Sequence, residues 1–285
     1  MKRLLALLFA LALVVTACGD DDSVDTTAAG ASCDVADLNL VTDGTLTVAT
    51  GEPAFPPWVG TADANFDEPE SGTGFEAALV YALAGELGFA EGDVTWVRTG
   101  FDEAIAPGDK DWDFNIQQYS ITADRDEVVD FSDPYYTTKQ ALVAFPDSAV
   151  AGATTLADLA DATLGAQIGT TSLDFIEDVI GTQAAVYENN VDAKAALDAG
   201  QIDGIVVDLP TAYYITAVEI EGSAIIAEFE AAAQAPDNFG LLFAEGNPLV
   251  GCVNQALAAL RADGTLDALE DQWLVDAGGL VTISE

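Results

Sequence analysis

Beyond residue 17 the 285-residue chain keeps three arginines, Arg98, Arg125 and Arg261. Arg125 follows Ser120-Ile121-Thr122 on a loop after a strand-like run, and its planar guanidinium fork matches a carboxylate. Asp124 and Asp126 flank it and offer it an ordinary ion pair instead. Gly169-Thr170-Thr171-Ser172 lies between a strand pattern and a helix pattern, where free backbone N–H groups and hydroxyls suit an anion. The same residues also suit a helix cap on Thr171 or Ser172, and the two roles are compatible. Asp208 ends the run Gly204-Ile205-Val206-Val207. A carboxylate at the C-terminal end of a strand can face a cleft, or, ahead of Leu209-Pro210, it can cap a helix. Phe55, Trp58 and Phe101 stand in loops after strands, where a pocket wall would be, although the core is the commoner place for an aromatic.

Other chemistry is excluded by composition. The sequence has no histidine, which removes Ser-His-Asp and Cys-His catalysis and every His-ligated metal. No P-loop, G-x-S-x-G elbow or S-x-x-K pattern occurs. Gly72, Gly74 and Ala77 mimic a dinucleotide fingerprint, but the residues before them form an acidic loop and not the strand that the mechanism requires. Asp263-Gly264-Thr265-Leu266-Asp267 lacks the alternating oxygens of a calcium loop and reads as a turn between helices. No cofactor and no metal is implied. With 49 acidic against 8 basic side chains, the formal charge of −41 excludes nucleic acid and disfavours an anionic membrane surface. Half of the residues are apolar, so a core can form despite that charge.

The elements that must position these groups alternate between strand and helix. Strands are expected at Thr45–Thr50, Val94–Arg98, Asp113–Gln117, Gln140–Phe145, Thr163–Ile168, Ala184–Glu188, Gly204–Val207 and Phe239–Ala244. Helices are expected at Phe75–Leu87, with a stripe of Phe75, Leu79, Leu83 and Leu87, and at Ser172–Ile180, Val191–Ala199 (capped by Asn190), Thr211–Glu219, Leu249–Ala262 and Leu266–Leu274. This order implies α/β architecture with mainly parallel sheet. Nothing repeats at a fixed period, and the length suggests two lobes.

At the N-terminus, Lys2 and Arg3 precede an apolar run from Leu4 to Val15, shorter than a bilayer span and right for a secretory signal. The run closes as Val15-Thr16-Ala17-Cys18-Gly19, which resembles a bacterial lipoprotein signal. Cleavage after residue 17 would leave Cys18 lipidated at the head of a flexible acidic tether, residues 18–43, on a body of 6 basic and 49 acidic side chains. That expectation places the body outside the cytosol, anchored by lipid only. There the remaining even pair, Cys33 and Cys252, is expected as a disulfide.

Six stretches, in order, carry a resemblance to a known family. They are Gly51-Glu52-Pro53-Ala54-Phe55-Pro56-Pro57-Trp58, Gly74-Phe75-Glu76, Tyr119 to Arg125 with Asp130-Phe131-Ser132-Asp133-Pro134-Tyr135-Tyr136, Gly165 to Ser172, Asp203 to Asp208, and Arg261 to Thr265. Together they resemble the family 3 solute-binding proteins, the amino-acid receptors of ABC importers, over residues 44 to 275. The resemblance implies a type II periplasmic-binding-protein fold, two-lobed, with chain crossovers near Lys139 and Asn238. Residues 44–138 and 238–285 would form the first lobe and 139–237 the second. It implies that Arg125, Ser120 and the Thr170-Thr171-Ser172 turn hold an amino acid's α-carboxylate and Asp208 its α-ammonium. Phe55 and Phe101 would meet the side chain, with Trp58 in packing. Glu52 stands where receptors for basic amino acids carry an acid, so a polar or cationic ligand is expected. Gln117 and Gln118 depart from the small residues usual there, and offer amides to such a ligand. The implied partners are a small amino acid and an ABC permease, with the receptor a monomer and not an enzyme. Cyclohexadienyl or arogenate dehydratases share the scaffold and are the alternative; they typically carry Glu where Asp208 stands. A receptor-kinase sensor domain is a more distant one.

Overall fold

The computed structural model describes residues 32–230, 237–274 and 278–284. The expected signal run, Cys18 and the start of the expected tether lie outside the described residues. Two sheets carry the architecture, and the family-type expectation of two lobes joined by crossovers is met.

The first sheet has the order β2-β1-β3-β12-β4. Within it β1 (Leu46–Thr50), flanked on both sides, is buried at all five positions, as a parallel strand covered on both faces must be. β2 (Val94–Arg98) pairs parallel with it along its whole length, and after the short helix α2 (Phe101–Ile105) β3 (Phe114–Asn115) lies on its other side. The connection from β1 runs through α1 (Phe75–Leu87), whose Phe75, Leu79, Leu83 and Leu87 are all buried. α1 starts at Gly74, at φ +92°. Its first amides donate to loop carbonyls, Phe75 N to Pro57 O at 2.8 Å and Glu76 N to Trp58 O at 3.0 Å. The glycines that mimic a dinucleotide fingerprint therefore serve a close approach of loop to helix: a Cβ on Gly74 would stand 2.5 Å from Trp58 O.

From β4 (Val129–Phe131) the chain leaves the first sheet through β5 (Tyr136–Thr138) and enters the second at β6 (Gln140–Ala144). It returns through β11 (Asp237–Phe239) to β12 (Leu242–Ala244). β5 and β11 pair antiparallel, Thr138 opposite Asp237 and Tyr136 opposite Phe239, so the two connections form one ribbon.

The second sheet runs β13-β10-β6-β9-β7-β8. Here β7 (Leu164–Gln167), β8 (Ala185–Tyr187) and β9 (Gly204–Asp208) are parallel, and β6 runs antiparallel to both β9 and β10 (Ala224–Phe229). The intervening helices are α3 (Thr171–Asp174), continued by wider π turns over Phe175–Ile180, α4 (Asn190–Asp198, capped by Asn189 and not Asn190), and α5 (Leu209–Tyr214), with π turns over Ile215–Glu219.

After β12, α6 (Leu249–Ala262) and α7 (Thr265–Trp273) pack beside α1, and Leu257, Leu260 and Leu266 join its core. Cys33 and Cys252 are bonded, with Cα atoms 5.5 Å apart across 219 residues. In the chain-entropy picture a closure of that length stabilises by about 5 kcal/mol. The last strand, β13 (Thr282–Ile283), pairs with β10 of the second sheet. Residues 238–285 were expected in the first lobe throughout; instead Ile283 is fully buried in the core of the second, because β10 offers its open edge to one more short strand.

Candidate functional site

The site begins with a strand end. β9 delivers Asp208 to the N-cap position of α5, but its side chain caps no helix amide. Its Oδ1 accepts from Gln140 Nε2 at 2.9 Å, and the same nitrogen donates to Asp237 Oδ2 at 2.9 Å. Burial pushes the Asp208 carboxyl up to about 8, and the Asp237 charge beside it adds to that. The amide of Gln140 is held from its other end by Ser172, whose hydroxyl donates to Oε1 at 2.6 Å. β6 of the second sheet and the connecting strand β11 thus aim Gln140 and Asp237 at the end of β9.

Arg125 is 8% exposed and makes no ion pair with Asp124 or Asp126. It donates from Nη1 to Ser120 O at 2.6 Å and from Nη2 to Gly169 O at 2.8 Å, and so joins the two lobes. Phe101, stacked on Tyr119 at 4.6 Å, lies 5.5 Å from the guanidinium carbon. Burial lowers the guanidinium from its ordinary value, and the carboxylates of Asp174, Asp237 and Asp208 act against that. The turn at 169–172 divides its tasks. Thr170 caps α3, accepting from Leu173 N at 3.2 Å, whereas the expected caps, Thr171 and Ser172, are free for other partners. Thr171 Oγ1 is 3.3 Å from Ser120 Oγ of the opposite lobe.

Every one of the sequence-derived ligand candidates, from Glu52 to Asp208, borders a single cavity of about 400 Å³. Lobe-to-lobe contacts surround it: Trp58, otherwise packed among Phe75, Tyr136 and Phe239, donates from Nε1 to Thr211 Oγ1 at 3.0 Å. The two glutamines are less available than the sequence suggests. Gln118, at φ 52°, directs its backbone N–H (2.9 Å) and its side-chain amide at Glu76. Gln117 accepts from the Tyr119 hydroxyl at 3.1 Å. Glu76 is wholly buried; Tyr135 also donates to it, and burial pushes it up to about 7.

Four contributors escape a reading by motif. Gln140 and Asp237 act through Asp208 and show only as a glutamine in an apolar strand and an acid after a connection. Lys194 on α4 and Glu219 at the end of the α5 π turns border the cavity too, yet in the sequence they look like ordinary charges on helix faces.

Two lobes, each with its own sheet, and a polar cavity between them that both lobes line define a solute-binding protein. The chain matches the family model of bacterial extracellular solute-binding proteins, family 3, over residues 46–276, and it belongs to that family. ABC transporter arginine-binding protein 1 of Escherichia coli (strain K12) is 30% identical over 211 residues, 70% of this chain and 81% of the relative. Among solved structures, an ancestral arginine-binding protein bound to glutamine has a TM-score of 0.68 at 29% identity, covering 81% of this chain and 98% of the other. An ancestral amino-acid-binding protein, described as a precursor of cyclohexadienyl dehydratase, has a TM-score of 0.66 at 28% identity over 81% and 96%. Among the described residues no helix is long and apolar enough to cross a membrane.

Proposed function

We propose that this protein is the extracytoplasmic substrate-binding component of an ABC importer, that its ligand is a free amino acid, and that Cys18 carries its lipid anchor. The observation that carries this reading is the arrangement of Arg125 and Asp208 around one cavity, each without a charge partner of its own at bonding distance. An unpaired buried cation and an unpaired buried carboxyl are costly, and a zwitterion answers both. Its α-carboxylate meets Arg125, the Ser120 and Thr171 hydroxyls and the amides of the 169–172 turn; its α-ammonium meets Asp208. Gln140, shared with Asp237 and Ser172, holds the Asp208 carboxyl in place. Ligand binding then draws the lobes together on the β5–β11 ribbon, and the permease reads the closed form.

A thermal-shift screen against the twenty amino acids tests the reading, because a ligand of the folded form raises its melting point by mass action. One or a few amino acids shifting the transition by several degrees is the expected result. No shift with any of them, at millimolar concentration, defeats it.

One observation favours a dehydratase-like second reading. At neutral pH Asp208, with its carboxyl pushed up to about 8, is a protonated acid, which is what elimination of water from a substrate calls for. Incubation with arogenate or prephenate separates the two, since turnover would put the enzyme first.

A further inference from the structure

Lys194 and Glu219 border the same cavity as Arg125 but share no contact with it. Arg125 meets Ser120, Gly169 and Phe101, while Lys194 meets Glu219 and Phe55, which leaves this second group for the side chain of a bound amino acid. Their ion pair measures 2.5 Å, with the lysine side chain 11% and the glutamate side chain 19% exposed. The lysine ammonium also lies 4.1 Å from the centre of the Phe55 ring. Phe55 belongs to the first lobe and Lys194 to the second, so this contact joins the two lobes at the cavity that both residues line. An aromatic face is the natural seat for a ligand's cationic group, and here the protein's own lysine already fills it.

From this geometry we infer that the Phe55–Lys194–Glu219 subsite selects an amino acid whose side chain ends in a neutral carboxamide. The inference rests on the amino-acid reading above and adds the ligand class. An ammonium has three N–H donors; Glu219 takes one and the Phe55 ring faces another, leaving donor capacity toward the cavity. Glu219 in turn keeps acceptor capacity beside it. A carboxamide presents one acceptor and two donors: its oxygen answers Lys194 and its nitrogen answers Glu219. A cationic side chain would bring a second positive charge against Lys194 at the Phe55 face. A side-chain carboxylate would bring a second anion to a lysine that Glu219 already neutralises. The remaining charged lining, Glu52, Asp102, Glu103 and Glu188, is all acidic, which acts against an anion in the same direction. An aliphatic side chain leaves the spare donors of Lys194 and the spare acceptor of Glu219 desolvated and unanswered, the situation in which sites reject analogues most strongly.

Titration calorimetry of the wild-type protein with L-glutamine, L-glutamate, L-arginine and L-leucine tests this. Glutamine is expected to bind roughly tenfold tighter, or more, than each of the other three. In Lys194→Met, Glu219 loses its cation while the apolar stem stays, and the glutamine-to-arginine affinity ratio is expected to fall by roughly tenfold or more. Circular dichroism and the melting temperature confirm that the variant folds; the wild-type ranking decides even if it does not. Arginine, glutamate or leucine binding tighter than glutamine to the wild type overturns the carboxamide assignment and leaves the amino-acid reading standing. So does a folded Lys194→Met whose ratio stays within about twofold of wild type. Binding of none of the four, with no response in the wider amino-acid screen, overturns both.

Discussion

The groups proposed to grip the ligand are two buried side chains with opposite protonation problems. Arg125 stays charged and borrows only backbone carbonyls, Ser120 O and Gly169 O, from the protein. In Arg125→Ala the ligand carboxylate would be buried without its cation. The expected loss is about 3–5 kcal/mol, or two to three and a half decades in affinity by calorimetry; unchanged affinity would remove Arg125 from the site. Asp208 is different, since burial and Asp237 raise its carboxyl to about 8. A folded value above the unfolded one near 4 means that the empty protein holds an extra proton, so this carboxyl favours folding below about pH 4 and loses that contribution as pH rises toward 8. An incoming ammonium reverses the preference. At pH 7 about nine-tenths of the protein would carry that proton and surrender it on binding. Calorimetry in two buffers of different ionisation enthalpy should therefore report close to one proton released per ligand at pH 7, declining toward pH 9. Heats independent of the buffer would contradict an ammonium at Asp208. The sequence made both residues legible because each ends a short motif after a strand. It did not reveal that Gln140 joins Asp208 to Asp237, since Gln140 and Asp237 stand 97 residues apart and meet because β11 pairs with β5, which ends just before Gln140.

Elements show the same division between local and distant causes. α1 depends on Gly74 in a way that volume alone does not describe, for its φ of +92° and the 2.5 Å approach to Trp58 O both exclude a Cβ. Gly74→Ala should destabilise by about 2 kcal/mol or more, seen as a lower midpoint in urea with an unchanged slope. A midpoint equal to wild type would mean that the loop over α1 yields freely. β13 makes a second case. Ile283 is fully buried against the second lobe, and Ile283→Ala should cost about 2–3 kcal/mol in the same measurement, the lower part of the usual range because an edge strand can collapse inward. No change would detach β13 from the core. The strands found by pattern, such as β1, β6 and β9, are apolar runs bounded by turn residues, so burial on both faces is written into them locally. Val129–Phe131, Tyr136–Thr138 and Thr282–Ile283 are two or three residues long and become strands only because a partner from far along the chain lies beside them. The π turns after α3 and α5 were hidden for a related reason: an added residue in a turn leaves the apolar composition of the segment untouched. Glu219 closes such a segment, and Lys194 sits on α4 as one charge on a helix face, so the side-chain end of the cavity was the least legible part of the site.

For the molecule as a whole, charge decides the response to its surroundings. Among the six basic residues beyond residue 17, Arg98, Lys139 and Lys194 pair with Asp67, Glu228 and Glu219, and 49 acids share so few cations. Added salt screens attractions and repulsions alike, but here there is little attraction to lose. The folded body holds its carboxylates closer together than the unfolded chain does, so repulsion lowers the stability of the compact state. Raising ionic strength from about 0.1 to 1 M shortens the screening length from about 10 to 3 Å. The melting temperature should therefore rise by several degrees over that range, about 2–4 °C for each kcal/mol of repulsion removed from a protein of this size. Chloride and perchlorate should act alike up to about 0.2 M, where screening and not ion-specific exclusion dominates. A melting temperature that falls with both salts would mean that attractive pairs, few as they are, outweigh the repulsion. Binding should respond differently, because Arg125 and Asp208 are buried and screened much less than surface charges. A protein whose stability climbs with salt while its affinity holds nearly level would have its acidity on the outside, acting on folding, and its recognition charges on the inside, acting on the ligand.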